Sequence, residues 1–399
     1  MNALVKPESL QGVHVVDADT HVTEVHDLWT SRASPKFRDR VPQVKQVDGE
    51  LAWYIDGEYR MGPAMTSCCI RKDGSKSFGF DLVKMTIQDV YEGAFDVKAR
   101  VAYMDEAGFS AQIAYPNLLG FGNQKSMKVD PELRLVTTQI FNDASAEMQA
   151  DSGNRVFPMI LLPWWDIEAS VKEAERCHAM GLRGVNLNSD PQIQGYPVLG
   201  DPHWDPLWEA CSSLDLPINF HIGGGMENSD WYGQGGWPTD DPNLKMAFGS
   251  SQMPLTNYRV LSNIILSRFL EKWPKLNIVS VESGVTWIPF MLESLEYQMQ
   301  DQGIEYELSP LEIFRRQIYA CFWYDQVLLP EAARHLGTDH LLFETDFPHP
   351  TCAYPNALER IERSAAGFTP DERAKVFGDN AINLYNLPTE GFESMRRAA

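Results

Sequence analysis

The stretch Val13-His14-Val15-Val16-Asp17-Ala18-Asp19-Thr20-His21 is a short apolar strand pattern ending in closely spaced acids and an imidazole. Successive side chains of an extended strand point to opposite faces, so Asp17, Asp19 and His21 are expected to project together while Val16, Ala18 and Thr20 face the other way. A carboxylate and an imidazole on one strand face can share a cation. A lone Asp-x-His is more often only a polar strand end, so the reading of this stretch depends on the rest of the chain.

Downstream of it come first an interruption and then a rhythm. Residues 41–61 alternate around the turns Asp48-Gly49 and Asp56-Gly57, which predicts a small antiparallel meander. Residues 67–79 turn to Gly, Ser and Lys, a composition expected of a mobile loop over a site. From Asp96 onward helical spacing alternates with short apolar runs. Helices are expected over residues 96–107, 130–150, 166–180, 202–213, 253–272, 286–300, 330–336, 355–366 and 370–377. Residues 223–249, rich in Gly and Asp and carrying Trp231, Tyr232 and Trp237, show neither period and read as a lid or an interface.

The strands predicted between these helices begin at Val13, Ala111, Val156, Leu182, Pro217, Leu276, Ile318 and Leu341, eight in all. Eight β-α units point to one closed parallel (β/α)8 TIM barrel spanning residues 1–399, with insertions at about 30–85 after strand one and 223–249 after strand five. Such barrels keep their functional residues at the C-terminal ends of the strands. Here strand one ends in Asp19-Thr20-His21, strand five in His221, strand six in Glu282 and strand eight in Asp346-Phe347-Pro348-His349. No single strand can surround a cation, whereas several strand ends around a barrel mouth converge on one point. Asp19, His21, His221 and Asp346 offer two oxygens and two nitrogens, a donor set for a divalent metal ion (Zn, Mn or Fe). Metal-bound water would then be a nucleophile near neutral pH.

Composition narrows the partners. The 399 residues are 44% hydrophobic, enough for a large core, and the net charge of -21 argues against nucleic acid or an anionic membrane as partner. No run approaches the length of a membrane span, and residues 1–11 lack a basic-then-apolar signal pattern, so the expectation is a cytoplasmic protein. The six cysteines have no Cys-x-x-Cys spacing and read as reduced thiols. Cys177-His178 inside a helical pattern, His203, His26 and His335 read as packing or surface, and Gly223-Gly224-Gly225 lacks the Lys-Ser/Thr of a phosphate loop. Trp164, Trp165 and Trp287 divide between substrate wall and core. Arg71 and Lys72 divide between substrate contact and solvated loop charge.

With these residues in view, the chain resembles the amidohydrolase superfamily, in the amidohydrolase-related branch that holds aminocarboxymuconate-semialdehyde, γ-resorcylate and carboxyvanillate decarboxylases. The matching pieces are residues 16–21, Phe220-His221, residues 269–276, Thr345-Asp346-Phe347-Pro348-His349-Pro350 and Gly378-Asp379-Asn380-Ala381. The resemblance implies that Asp19, His21, His221 and Asp346 bind one metal ion. The chain departs from the family in carrying Asp19 where His or Glu is usual, and Glu282 where the decarboxylases carry a sixth-strand His used in acid-base work. Glu282 then reads as general base or further ligand, and with Glu24 or His349 added a dinuclear site is conceivable. The expected function is hydrolysis of a small organic substrate by metal-activated water, with Glu282 and Asp346 catalytic. The alternatives are non-oxidative decarboxylation of an aromatic or enol acid, oxygen activation at a dinuclear Fe/Mn site, and a non-catalytic subunit of a hetero-oligomer. Apolar insertions of this kind predict a homo-oligomer.

Overall fold

A ring of parallel strands carries the opening stretch at its seam. In the computed structural model, which describes residues 7–225, 240–364, 366–390 and 392, β1 (Val16–His21) is followed by the antiparallel meander β2 (Gln43–Val47), β3 (Glu50–Ile55) and β4 (Tyr59–Pro63). Then α1 (Val97–Ala107) leads to β5 (Ala111–Tyr115), α2 (Pro131–Asp151) to β6 (Val156–Pro158) and β7 (Ile160–Leu161), and α3 (Ile167–Ala179) to β8 (Val185–Asn186). Next, α4 (Asp205–Ser213) precedes β9 (Ile218–His221), and α5 (Pro242–Gln252), α6 (Leu255–Ser267) and α7 (Phe269–Lys272) precede β10 (Ile278–Val281). Finally, α8 (Ile288–Asp301) and α9 (Pro310–Gln317) precede β11 (Ile318–Phe322), α10 (Leu329–Leu336) precedes β12 (Leu341–Phe343), and α11 (Ala357–Ser364), α12 (Pro370–Ala374) and α13 (Asn380–Leu384) close the order.

The strands pair in the orders β1-β5-β6 and β12-β11-β10-β9-β8-β7, every barrel pairing parallel. β6 and β7 are one wall segment interrupted at Met159, whose N–H bonds Ala114 O while Ile160 N–H bonds Gly184 O. At the other seam His21 N–H donates to Phe347 O and Asp346 N–H to Asp19 O, beside a Thr20–Phe347 bridge, so the ring closes as a TIM barrel. One core fills the lumen, with Val16, Ala18, Ile113, Tyr115, Val281 and Leu342 among its members; a second and larger one lies between strands and helices. Both faces of each barrel strand are covered, which is why these strands read as apolar runs rather than alternations.

The helix starts follow their caps. Asp96, Asp130 and Asp166 each accept from a first-turn N–H, and Pro131 sits where no N–H is needed. The helices depart from expectation at two places, and one start went unread. Residues 242–249, read as irregular, begin α5, opened by the Asp241 cap and Pro242. The single helix expected over 253–272 divides at Arg268, whose φ of 60° breaks it into α6 and α7. A Ser309-Glu312 capping box, unread in the sequence, starts α9.

The loop expected over 67–79 is tucked in rather than free. Ser67, Cys68, Cys69 and Ile70 are buried, and Cys69 N–H bonds Pro348 O beside the mouth. The meander forms as foreseen, and Trp231, Tyr232 and Trp237 lie outside the described residues. All six cysteines are free and buried. No described helix is long and apolar enough to cross a membrane.

Candidate metal centre

The period of β1 breaks just where it matters. Its pairing with β5 shifts register between Asp17 and Thr20. Val16 and Ala18 therefore face the lumen core, and the bulge turns Asp19 and His21 into the mouth instead of continuing the alternation. Asp17 does not join them, contrary to the strict period. Its carboxylate accepts from Thr345 N–H (2.7 Å), the Thr345 hydroxyl (2.6 Å) and Gln112 Nε2 (3.1 Å), tying β1 to the segment after β12. Gln112 is held in turn by buried Arg100, which also donates to His21 O.

Four strand ends then meet. His21 Nε2 lies 3.4 Å from Asp19 Oδ1 and 3.4 Å from Asp346 Oδ1, and 3.2 Å from His221 Nε2. His221 Nε2 is 3.5 Å from Asp19 Oδ2 and 3.3 Å from Glu282 Oε2. His349 Nδ1 is 2.9 Å from Asp346 Oδ1, and its ring stacks on His21 with centroids 3.5 Å apart. Donor atoms of Asp19, His21, His221 and Glu282, and of His21, Glu282, Asp346 and His349, lie within 4.8 Å of one another. All six side chains are buried.

The tautomers suit a cation. His221 Nδ1–H donates to Ile222 O at 2.7 Å, which leaves the Nε2 lone pair facing the cluster and the His21 ring. Asn117 Nδ2 donates to Val22 O, so its Oδ1 accepts from His349 Nε2–H, and His349 Nδ1 is left facing Asp346. Both oxygens of Asp19 are buried with no hydrogen-bond donor. Buried acceptors of this kind are costly unless something positive sits among them. The residues present fit a divalent ion, held by carboxylate and imidazole donors.

The charges respond to this crowding. Burial first, and then the neighbouring Asp346 carboxylate, push Asp19 and Glu282 well above the usual carboxyl range. Burial resists ionisation of Asp346 too, but the neighbouring His349 and the contact with His21 outweigh it and hold this carboxyl well below its usual range. Burial lowers His21 and takes His221 down to about 4, so both rings are neutral donors. Glu282 and Asp346 have φ of 53° and 57°, a left-handed backbone that costs a non-glycine residue strain and here turns both acids into the mouth.

Of the residues singled out in the sequence, Asp19, His21, His221, Asp346, Glu282 and His349 are brought together. Glu24 is not. Its carboxylate caps the loop after β5, accepting from Asn117 N–H and Leu118 N–H, both at 2.9 Å, and from Asn117 Nδ2, because the chain turns away from the mouth after His21. Trp164 is core, its Nε1–H bonded to Gly122 O, and Trp287 donates to Ser283 O. Arg71 is spent on Lys76 O.

Two participants escaped the sequence reading. Glu344 is fully buried, pushed well up by burial and by Asp19, and accepts from Glu282 N–H. Its place two residues before Asp346 was a legible signal, since alternation puts both on one face. The Thr351 hydroxyl touches Asp346 Oδ2 and lies 3.2 Å from Glu282 Oε1. Nothing local in the sequence marks it, since it comes from the turn after His349.

Known proteins resemble this chain in sequence and in fold. The family model described as Amidohydrolase matches residues 16–387. A γ-resorcylate decarboxylase from Polaromonas sp. (strain JS666 / ATCC BAA-500) is 26% identical over 316 residues, 72% of this chain and 86% of the relative. One from Rhizobium sp. (strain MTP-10005) is 25% identical over 272 residues, covering 62% and 75%. Among solved structures, an amidohydrolase from Mycobacterium avium subsp. paratuberculosis K-10 shares the fold at a TM-score of 0.71, with 22% identity over 94% of this chain and 99% of that one. A 5-carboxyvanillate decarboxylase from Novosphingobium aromaticivorans DSM 12444, solved with manganese and 4-hydroxy-3-methoxy-5-nitrobenzoic acid, shares it at 0.63, with 18% identity over 97% and 100%.

Proposed function

The chain belongs to the amidohydrolase family, and on that premise we propose that this enzyme is a metal-dependent, non-oxidative decarboxylase of an aromatic or enol acid. The observation that carries the reading is Glu282, a buried carboxyl held 3.3 Å from His221 at the edge of the cluster and pushed upward by burial and by Asp346. The choice of decarboxylation over the hydrolysis expected from the sequence is supported by the two γ-resorcylate decarboxylases, both of them curated relatives.

Asp19, His21, His221 and Asp346 would hold the ion, with Glu282 and His349 at its margin. A carboxylate-rich donor set favours Mn²⁺, the ion found with the carboxyvanillate decarboxylase. When bound, the ion supplies positive charge against which an anionic substrate can be oriented and its developing charge stabilised. The chain's own residues supply the proton. As the bond between ring carbon and carboxylate breaks, its electron pair stays on the ring carbon, carbon dioxide leaves, and the Glu282 carboxyl protonates that carbon. Thr351 suits this role, because a hydroxyl can accept from the Glu282 carboxyl while donating to Asp346. Asp346, held ionised, stabilises that arrangement.

A second reading has one observation behind it. A glutamate stands where the sequence resemblance expects a histidine, and the same carboxyl, once ionised, can serve as base toward water in a hydrolysis. The test is to incubate the Mn²⁺-loaded protein with a panel of hydroxybenzoates and, in parallel, with aryl esters and lactones. Carbon dioxide release, with one solvent deuteron incorporated at the vacated ring carbon in D₂O, is the expected result. Ester or lactone cleavage with no release from any acid would overturn it in favour of hydrolysis.

A further inference from the structure

Beside the cluster the barrel mouth holds a pocket of about 210 Å³, bounded by Thr66, Asn117, Phe121, Gln124, Lys125 and His349. It opens onto the centre through two rings. Phe121 stacks on His221 with centroids 4.0 Å apart, and His349 stacks on His21. The volume suits a single-ring ligand, smaller than the several hundred Å³ that drug-sized molecules occupy.

The polar groups of this wall are almost all committed. Gln124 Oε1 accepts from Gly122 N–H while its Nε2 donates to Gly223 O, stitching the loop after β5 to the loop after β9. Asn117 serves Val22, Glu24 and His349. Lys125 is different. It is half-buried, and among the described residues its ammonium has neither a hydrogen bond nor an ion pair. By contrast, Arg155, Arg176 and Arg259 each hold a carboxylate, and the Lys76 ammonium holds Cys352 O. An unspent cation facing a pocket matters most in a chain of net charge -21 whose centre gathers Asp19, Glu282, Glu344 and Asp346. An anionic substrate entering such a field needs local positive charge away from the metal end as well as at it.

We propose that Lys125 is an anion subsite, and that the substrate is an aromatic acid bearing a second anionic group, such as another carboxylate, on the ring side away from the centre. The assignment of the reacting end rests on the decarboxylase reading; the subsite does not. Lys125 acts in binding and selectivity, by a charge-assisted hydrogen bond to the distal group, while the Phe121 ring packs against the ligand. Losing such a bond lowers affinity roughly ten- to a hundredfold.

The test uses the Mn²⁺-loaded full chain and three probes, benzoate, isophthalate and terephthalate, with Kd measured by calorimetry for the wild type, Lys125→Met and Lys125→Arg. The wild type should bind the better-fitting dicarboxylate at least about tenfold more tightly than benzoate. Lys125→Met should erase that preference and Lys125→Arg should keep most of it. Metal content and circular dichroism confirm that each variant is folded. A wild type without the preference, or a preference that survives Lys125→Met, overturns the subsite. The two proposals fail separately: carbon dioxide release together with a surviving preference sinks the subsite alone, whereas a preference lost in Lys125→Met without release from any acid sinks the decarboxylase reading alone.

Discussion

Loading the metal-free protein with Mn²⁺ should expel a proton from one identifiable group, Asp19. Asp19 and Glu282 are pushed well up by burial and by their carboxylate neighbours, so in the metal-free protein each keeps a proton at mildly acid pH. His21 and His221 are pushed down by burial and have none to give, and Asp346 is held ionised. A cation ligated by Asp19 needs that carboxyl ionised, so its binding is coupled to that deprotonation, while Glu282 at the margin keeps its proton. An acid with a raised pKa binds more protons in the metal-free than in the loaded state; affinity therefore grows with rising pH and is lost as pH falls. With one proton leaving, the association constant changes about tenfold per pH unit, roughly 1.4 kcal/mol. The assay is calorimetric titration at about pH 6 in buffers of different ionisation enthalpy, where the slope of observed against buffer enthalpy counts protons. The wild type and Glu282→Gln should release about one, and Asp19→Asn about none. A slope near zero for the wild type would refute the reasoning, since it would mean an Asp19 carboxyl already ionised among its acidic neighbours without the ion. A slope left unchanged by Asp19→Asn would also refute it, by placing the proton elsewhere.

Asp346→Ala should drop bound manganese from about one per chain to below about a tenth after dialysis, read by elemental analysis; full retention would remove Asp346 from the ligand set. Glu24→Ala leaves the N–H groups of Asn117 and Leu118 without their acceptor and should cost about 1–3 kcal/mol in urea denaturation with metal content intact. Loss of metal without loss of stability would instead return Glu24 to the centre. Phe109→Ala empties a fully buried site stacked on Phe343 and should cost about 3–5 kcal/mol at unchanged denaturant slope. A cost under about 1 kcal/mol would mean that the layer between strands and helices collapses around the gap.

The barrel was legible because its determinants are local. Each strand is a short apolar run and each helix carries its own cap and period, so Asp130-Pro131 or Asp166 announces a start without knowledge of the partner it packs against. The polar strand ends were legible for the same reason, since a barrel gathers them at one mouth whatever their spacing in the chain. Where local signals compete, the reading failed. Residues 242–249 sit among glycines and aspartates that hide the Asp241 cap of α5, and Arg268 gives no warning of its left-handed turn.

What the amino-acid sequence determined by itself was therefore the kind of object and the inventory of its donors: an acidic barrel offering Asp19, His21, His221, Glu282, Asp346 and His349 to a cation. Only the tertiary structure decided which acids face which way. The bulge in β1 sends Asp17 to Thr345 and Gln112 and Asp19 to the centre, although period two makes them equivalent. Contact with the loop after β5 turns Glu24 from candidate ligand into a cap. Packing brings Thr351 to Glu282 and leaves Lys125 at the mouth with no hydrogen-bond or ion-pair partner among the described residues. The physical reason is one of range. Propensity and period act over a few residues, whereas burial, charge coupling and hydrogen-bond satisfaction depend on segments hundreds of residues apart that meet only in the folded chain.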